Sequence, residues 1–116
     1  MKTRKIIMMV VVMFAATSLF AQNKTNEKFK VYGKCGMCKT RIEKTVAAVP
    51  GVVSAAWDQK TNMLDVTYKT KQVKAIDIHK AVAKVGHDTE LERADDKVYA
   101  ALPGCCHYDR PTAKKK

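Results

Sequence analysis

The chain has 116 residues, with 22 Lys or Arg against 11 Asp or Glu for a formal charge of +11, 47% hydrophobic residues and four cysteines. That length holds one small domain with a thin core, of the size that leans on bound metal, disulfides or very regular packing. The lysines are spread through every predicted element with no aromatic-interleaved basic stripe, which argues against a nucleic-acid surface and reads as solvated charge.

Residues 1–21 have the pattern of an export signal. Lys2, Arg4 and Lys5 precede an apolar run over 6–16, and small and polar residues end at Ala21-Gln22, with Leu19 and Ala21 at positions −3 and −1. The run is too short for a stable bilayer anchor. A secreted or periplasmic chain is expected, with no stable membrane insertion once the signal is removed. No cysteine follows Ala21 directly, which argues against a lipoprotein.

Residues 22–27 are polar and aperiodic and read as a linker; the domain is expected over 28–94. Residues 28–32 alternate polar and apolar as a half-buried strand does. Gly33-Lys34-Cys35-Gly36-Met37-Cys38 follows, with two cysteines in CxxC spacing where the strand hands over to a helix. The spacing lets both sulfurs converge, and the unpaired N–H groups of a helix N-terminus favour thiolate over thiol. Ile42, Val46 and Val49 predict a helix over 38–49, stopped by Pro50-Gly51. Residues 52–57 and 63–68 read as strands joined by turn chemistry over 58–62. Ile78, Val82 and Val85, with Ala75 and Ala81 beside them, predict a second helix over 73–85 that ends at Gly86, and 89–94 reads as a candidate edge strand. The order is βαββαβ. Two helices with one apolar stripe each are both buried only against the same face of a four-stranded antiparallel sheet, which is the α+β, ferredoxin-like sandwich.

With Tyr32 to Cys38, Ile42-Glu43, Val46, Gly51-Val52, Val66, Ile78, Ala81-Val82 and Gly86 in place, the chain over about 28–94 resembles the heavy-metal-associated domain family. That family includes copper chaperones, the periplasmic mercury-binding protein and the N-terminal domains of metal-pumping ATPases. The resemblance implies that Cys35 and Cys38 bind a soft metal ion and pass it to a partner by ligand exchange. The family usually has Gly-Met-Thr or Gly-Met-Ser before the first cysteine, where this chain has Tyr32, Gly33 and Lys34.

Two adjacent thiolates suit Cu(I), Zn(II) or Hg(II) far better than hard cations, and a two-thiolate site stays open to a ligand from a partner. Met37, between the cysteines, is expected as an exposed or lightly packed residue and not as a thioether ligand. His87 lies in a loop that the topology brings to the CxxC end of the sheet, and family members place Tyr, Phe or sometimes His there. It is therefore a candidate ligand or neighbour of the metal, against the alternative of a solvated residue bonded to Asp88. His79, beside Ile78, is expected on the surface.

Residues 95–116 form an extension that the compact family domain lacks. Asp95 is placed to cap a short helix over 96–102, with Val98, Tyr99 and Leu102 turned to the domain and Pro103-Gly104 ending it. Cys105, Cys106 and His107 follow. About ten residues span the roughly 20 Å back to the CxxC end, so Cys105 or Cys106 is a candidate third or fourth sulfur, with His107 a further candidate ligand. The alternative is a disulfide between a tail cysteine and Cys35 or Cys38, expected where exported thiols lack metal. The leading expectation is a non-enzymatic scavenger or carrier of a soft ion, Cu(I) ahead of Hg(II) and Zn(II), with a metal-transporting ATPase or efflux component bearing an acidic face as partner. The rival is a thiol–disulfide oxidoreductase using the CxxC pair. Against it, the element order is not that of thioredoxin.

Overall fold

The computed structural model describes residues 24–112. The leader expected at 1–21 and the lysine run at 114–116 lie outside the described residues.

Strand β1 (Lys24–Lys30) pairs antiparallel with β3 (Met63–Lys69), from Lys24 opposite Lys69 to Lys30 opposite Met63, and β2 (Val52–Trp57) pairs antiparallel with the other edge of β3. The sheet order is β1-β3-β2. Leu64, Val66 and Tyr68 alternate inward along β3, as the period-2 reading requires. Helix α1 (Gly36–Ala47) turns Cys38, Ile42 and Val46 inward, and helix α2 (Ala75–Lys84) turns Ile78, Val82 and Ala83 inward. These stripes join Phe29, Val31 and the inward side of β3 in one core, so the molecule is the α+β sandwich with both helices on one face. Asp77 accepts a hydrogen bond from the Lys74 backbone N–H at the start of α2 (3.1 Å), and Gly86, at φ +107°, ends it in a conformation that side chains with a Cβ resist. Among the described residues no helix is long and apolar enough to cross a membrane.

Three expectations change. The polar residues 24–27, read as linker, belong to β1, because β3 is long enough to pair with them and Asn26 Nδ2 donates to Asp65 Oδ1 (2.6 Å) and Thr67 Oγ1 (3.0 Å). Among the described residues the fourth strand, expected at 89–94, is a single antiparallel bridge between Val31 and Thr89. The chain turns away at once there. Thr89 Oγ1 accepts from the backbone N–H groups of Leu91 (3.2 Å) and Glu92 (3.0 Å), and the Thr89 N–H donates to the Glu92 carbonyl (2.8 Å). This side-chain turn competes with the ladder and wins. His79, expected on the surface, is buried: it stacks on Phe29 (centroids 3.8 Å apart) and its Nδ1 lies 2.6 Å from Thr89 Oγ1. Burial pushes its pKa down.

The extension packs back on the domain. Helix α3 (Asp96–Ala100) is capped by Asp95, whose carboxylate accepts from the Lys97 backbone N–H (2.8 Å). Leu102 is buried against Gly86, where a Cβ would stand 3.0–3.2 Å from the leucine side chain. A 3-10 turn over Gly104–Cys106 follows.

Candidate metal centre

The loop between β1 and α1 delivers Cys35 to the N-cap of the helix, and the Cys35 carbonyl accepts from the Lys39 N–H (3.1 Å). Cys38 sits in the first turn, fully buried, and Cys35 is half-buried. The floor under the loop is Trp57 at the end of β2. Its indole N–H donates to the Val31 carbonyl (2.9 Å), and its backbone N–H donates to Glu43 of α1 (2.8 Å). Lys39 closes the clamp, its ammonium reaching both Glu43 (2.6 Å) and the Trp57 carbonyl (2.9 Å). Gly33 lies flat against this ring, where a Cβ would stand 2.8 Å from two ring carbons. A Gly33→Ala chain is therefore expected to lose about 1–3 kcal/mol, read as a lowered urea midpoint, because the buried indole cannot give way without moving the cysteine loop.

The tail brings two more thiols to the same place. Cys35 Sγ lies 3.5 Å from Cys38 Sγ, 3.5 Å from Cys105 Sγ and 3.3 Å from Cys106 Sγ, and the two tail sulfurs are 3.9 Å apart. Cys35, Cys105 and Cys106 form a three-donor group with all sulfurs within 4.8 Å of one another. All four cysteines are free thiols. The length argument for the return of the tail thus has its counterpart in the structure, with Cys106 buried and Cys105 exposed.

The thiols are electrostatically unequal. Burial opposes ionisation of Cys35, but the Cys38 backbone N–H and the thiols of Cys106, Cys105 and Cys38 outweigh it and hold Cys35 down to about 6. Burial, with Cys106 beside it, pushes Cys38 up to about 11, and Cys105 is pushed up to about 11 by its contacts with Cys35 and Cys106. One thiolate ringed by thiols is a site with a lone pair ready for a soft cation and further donors that join by giving up their protons.

His87 is placed one layer back from the sulfurs and is not among the clustered donors. It is fully buried, neither solvated nor bonded to Asp88. Its Nδ1 lies 2.9 Å from the Tyr32 carbonyl, and Nε2 lies 3.3 Å from Nη1 of Arg41, which also reaches Cys106 Sγ at 3.4 Å. With Nδ1–H donating to the carbonyl and Nε2 accepting from the guanidinium, the neutral ring has no lone pair left for a metal. Burial holds its pKa down. His107 is exposed and packs on Tyr99 (ring centroids 5.2 Å apart).

Two contacts escaped the sequence reading. Met37 is exposed, as expected, yet its Sδ lies 3.5 Å from Cys105 Sγ, at the rim of the cluster. Arg41 is one turn beyond Cys38, so its spacing put it on the cysteine face of α1, but the sulfur it reaches comes from the tail. The lock that holds the tail was also unforeseen. The fully buried Asp88 takes a two-pronged ion pair from Arg110 (Nε to Oδ2 2.8 Å, Nη2 to Oδ1 3.0 Å). Tyr108 donates its hydroxyl to the Gly86 carbonyl (2.8 Å) and accepts from the Asp88 N–H (2.8 Å). The cysteine turn is thus pinned between Leu102 on one side and Tyr108-Arg110 on the other.

The heavy-metal-associated domain family matches residues 29–88, a span that includes Cys35, Cys38 and His87 and ends before Cys105 and Cys106. Among solved structures, a CopZ metallochaperone is similar at 27% identity and a TM-score of 0.55, over 56% of this chain and 98% of that one. The N-terminal domain of a potential copper-translocating P-type ATPase from Bacillus subtilis, in its Cu(I)-loaded state, is similar at 28% identity and a TM-score of 0.56, over 65% and 95%. A copper chaperone of Enterococcus hirae, in its apo form, is similar at 30% identity and a TM-score of 0.52, over 54% and 94%. No curated protein sequence matches the chain.

Proposed function

The chain belongs to the heavy-metal-associated domain family, and from that membership we propose that it is an exported carrier or scavenger of Cu(I), which it takes up on its clustered thiols and passes on by ligand exchange. The observation that carries the reading is the approach of Cys105 and Cys106 to the CxxC pair, with Cys35 within 3.3–3.5 Å of three other sulfurs. Thiolates gathered in this way select soft ions, Cu(I) ahead of Zn(II), and the similarity to copper chaperones and copper-binding ATPase domains points the same way. Cys35, Cys38 and Cys106 are the set we assign to the ion, two of them buried, and Arg41, which reaches Cys106 Sγ, brings a positive charge that offsets the excess negative charge of three thiolates on one monovalent cation. Transfer follows when an incoming thiolate displaces one of these sulfurs, so no bond outside the coordination sphere is made or broken. The excess of basic residues steers the chain towards an acidic face, such as that of a metal-transporting ATPase or efflux component.

One observation favours a second reading. An easily ionised Cys35 beside a buried Cys38 with a raised pKa is the asymmetry of a redox dithiol. Anaerobic titration of the reduced chain with Cu(I) against a competing chelator separates the two. Tight binding of Cu(I) is the expected result. Weak binding, with a dithiol that equilibrates readily with glutathione, would replace the carrier by an oxidoreductase.

A further inference from the structure

The cluster holds more sulfur than one Cu(I) uses. With Cys35, Cys38 and Cys106 on one ion, Cys105 and Met37 remain, and they are not scattered: Cys105 Sγ is 3.5 Å from Cys35 Sγ and 3.5 Å from Met37 Sδ. Sulfurs bound to a common ion at about 2.3 Å stand roughly 4 Å apart. Contacts of 3.5 Å therefore need to open by only a few tenths of an ångström to admit one. Thiolate and thioether are both soft donors, and their combination favours Cu(I) over Zn(II).

The geometry points to a second Cu(I) position on the outer side of the cluster, held by Cys105 and Met37 and sharing Cys35 as a bridging thiolate with the inner ion. The inner position is lined by the buried Cys38 and Cys106 and backed by Arg41. The outer position is lined by exposed side chains, Met37 at 53% exposure and Cys105. Four thiolates and two monovalent cations leave a net charge of −2, the same as three thiolates on one ion, so the guanidinium that serves one ion serves two. The outer ion is the exchangeable one, because an incoming thiolate reaches it without moving the tail; the weak thioether leaves first and no buried sulfur is uncovered. The inference rests on the soft-metal reading above.

Native mass spectrometry of the full chain, titrated anaerobically with Cu(I) in a chelator buffer, tests it. The unmodified monomer is expected to take two Cu(I), the second more weakly. Met37→Leu, which keeps the side-chain volume at an exposed position, weakens the second equivalent about tenfold and leaves the first unchanged, and Cys105→Ser removes the second. One Cu(I) per chain at saturation, a second ion seen only in a dimer, or variants that titrate like the unmodified chain would overturn the second position while the carrier reading stands. Failure to take up any Cu(I) would remove both.

Discussion

A Cys35→Ser, Cys38→Ser chain is expected to lose Cu(I) affinity by several orders of magnitude and to stay folded. Structural thiolate sites gain on the order of 10 kcal/mol or more from about four ligands, so each sulfur contributes roughly 3 kcal/mol, or about a hundredfold. Cys35 is the larger loss of the two, since its sulfur lies within 3.5 Å of the other three cysteine sulfurs and it is the thiol held down to about 6. The fold survives because serine nearly matches the size of the buried Cys38, and the rest of the core, Ile42, Val46, Leu64, Val66, Ile78 and Val82, is unchanged. Competition against a Cu(I) chelator reads the affinity and circular dichroism the fold. Unchanged affinity would move the site to the tail and remove the family role of the CxxC pair.

The second large effect lies far from the sulfurs in sequence. Arg110→Ala is expected to cost about 3 kcal/mol of stability, because it leaves the Asp88 carboxylate buried without its cation. The figure sits at the low end for such a loss, since a loosened tail lets water reach the acid. The variant also frees the Cys105-Cys106 turn, so Cu(I) binding weakens although no ligand is changed. The pH dependence carries the same signature. Burial alone would raise the Asp88 pKa, but Arg110 and the Ala94 N–H reverse this and hold the carboxyl below its ordinary range. Its contribution is therefore fully present above the unfolded carboxyl pKa, near 4, and is lost as pH falls through the lower folded value. Urea midpoints measured from pH 6 downwards are expected to fall more steeply below about pH 4 in the unmodified chain than in Arg110→Ala. Parallel curves would show that the pair carries no acid-sensitive stability.

The elements that position the cysteines were legible because each has a local signal: alternation along β3, the i, i+4 stripe of α1, Pro50-Gly51 as a stop, and CxxC at the helix start. What escaped was decided between segments distant in the chain. Residues 24–27 are strand only because β3 offers them partners, and the last strand fails because Thr89 can satisfy nearby N–H groups with its own hydroxyl. His79 has the sequence surroundings of a surface residue and is buried by Phe29 and Thr89. The Asp88–Arg110 pair joins residues 22 positions apart, with no periodicity to announce it. That pair fixes where the tail thiols come to rest, so the length of the tail showed that a return was feasible and nothing in its composition showed what would secure it.

On the reading above, the tail completes the metal site. X-ray absorption at the copper edge, on the full chain loaded with one equivalent of Cu(I), tests it without depending on thiol accessibility. Three sulfurs around copper, reduced to two in Cys106→Ser, is the predicted result. Two sulfurs in the unmodified chain, unchanged in Cys106→Ser, would confine the ion to Cys35 and Cys38 and contradict it.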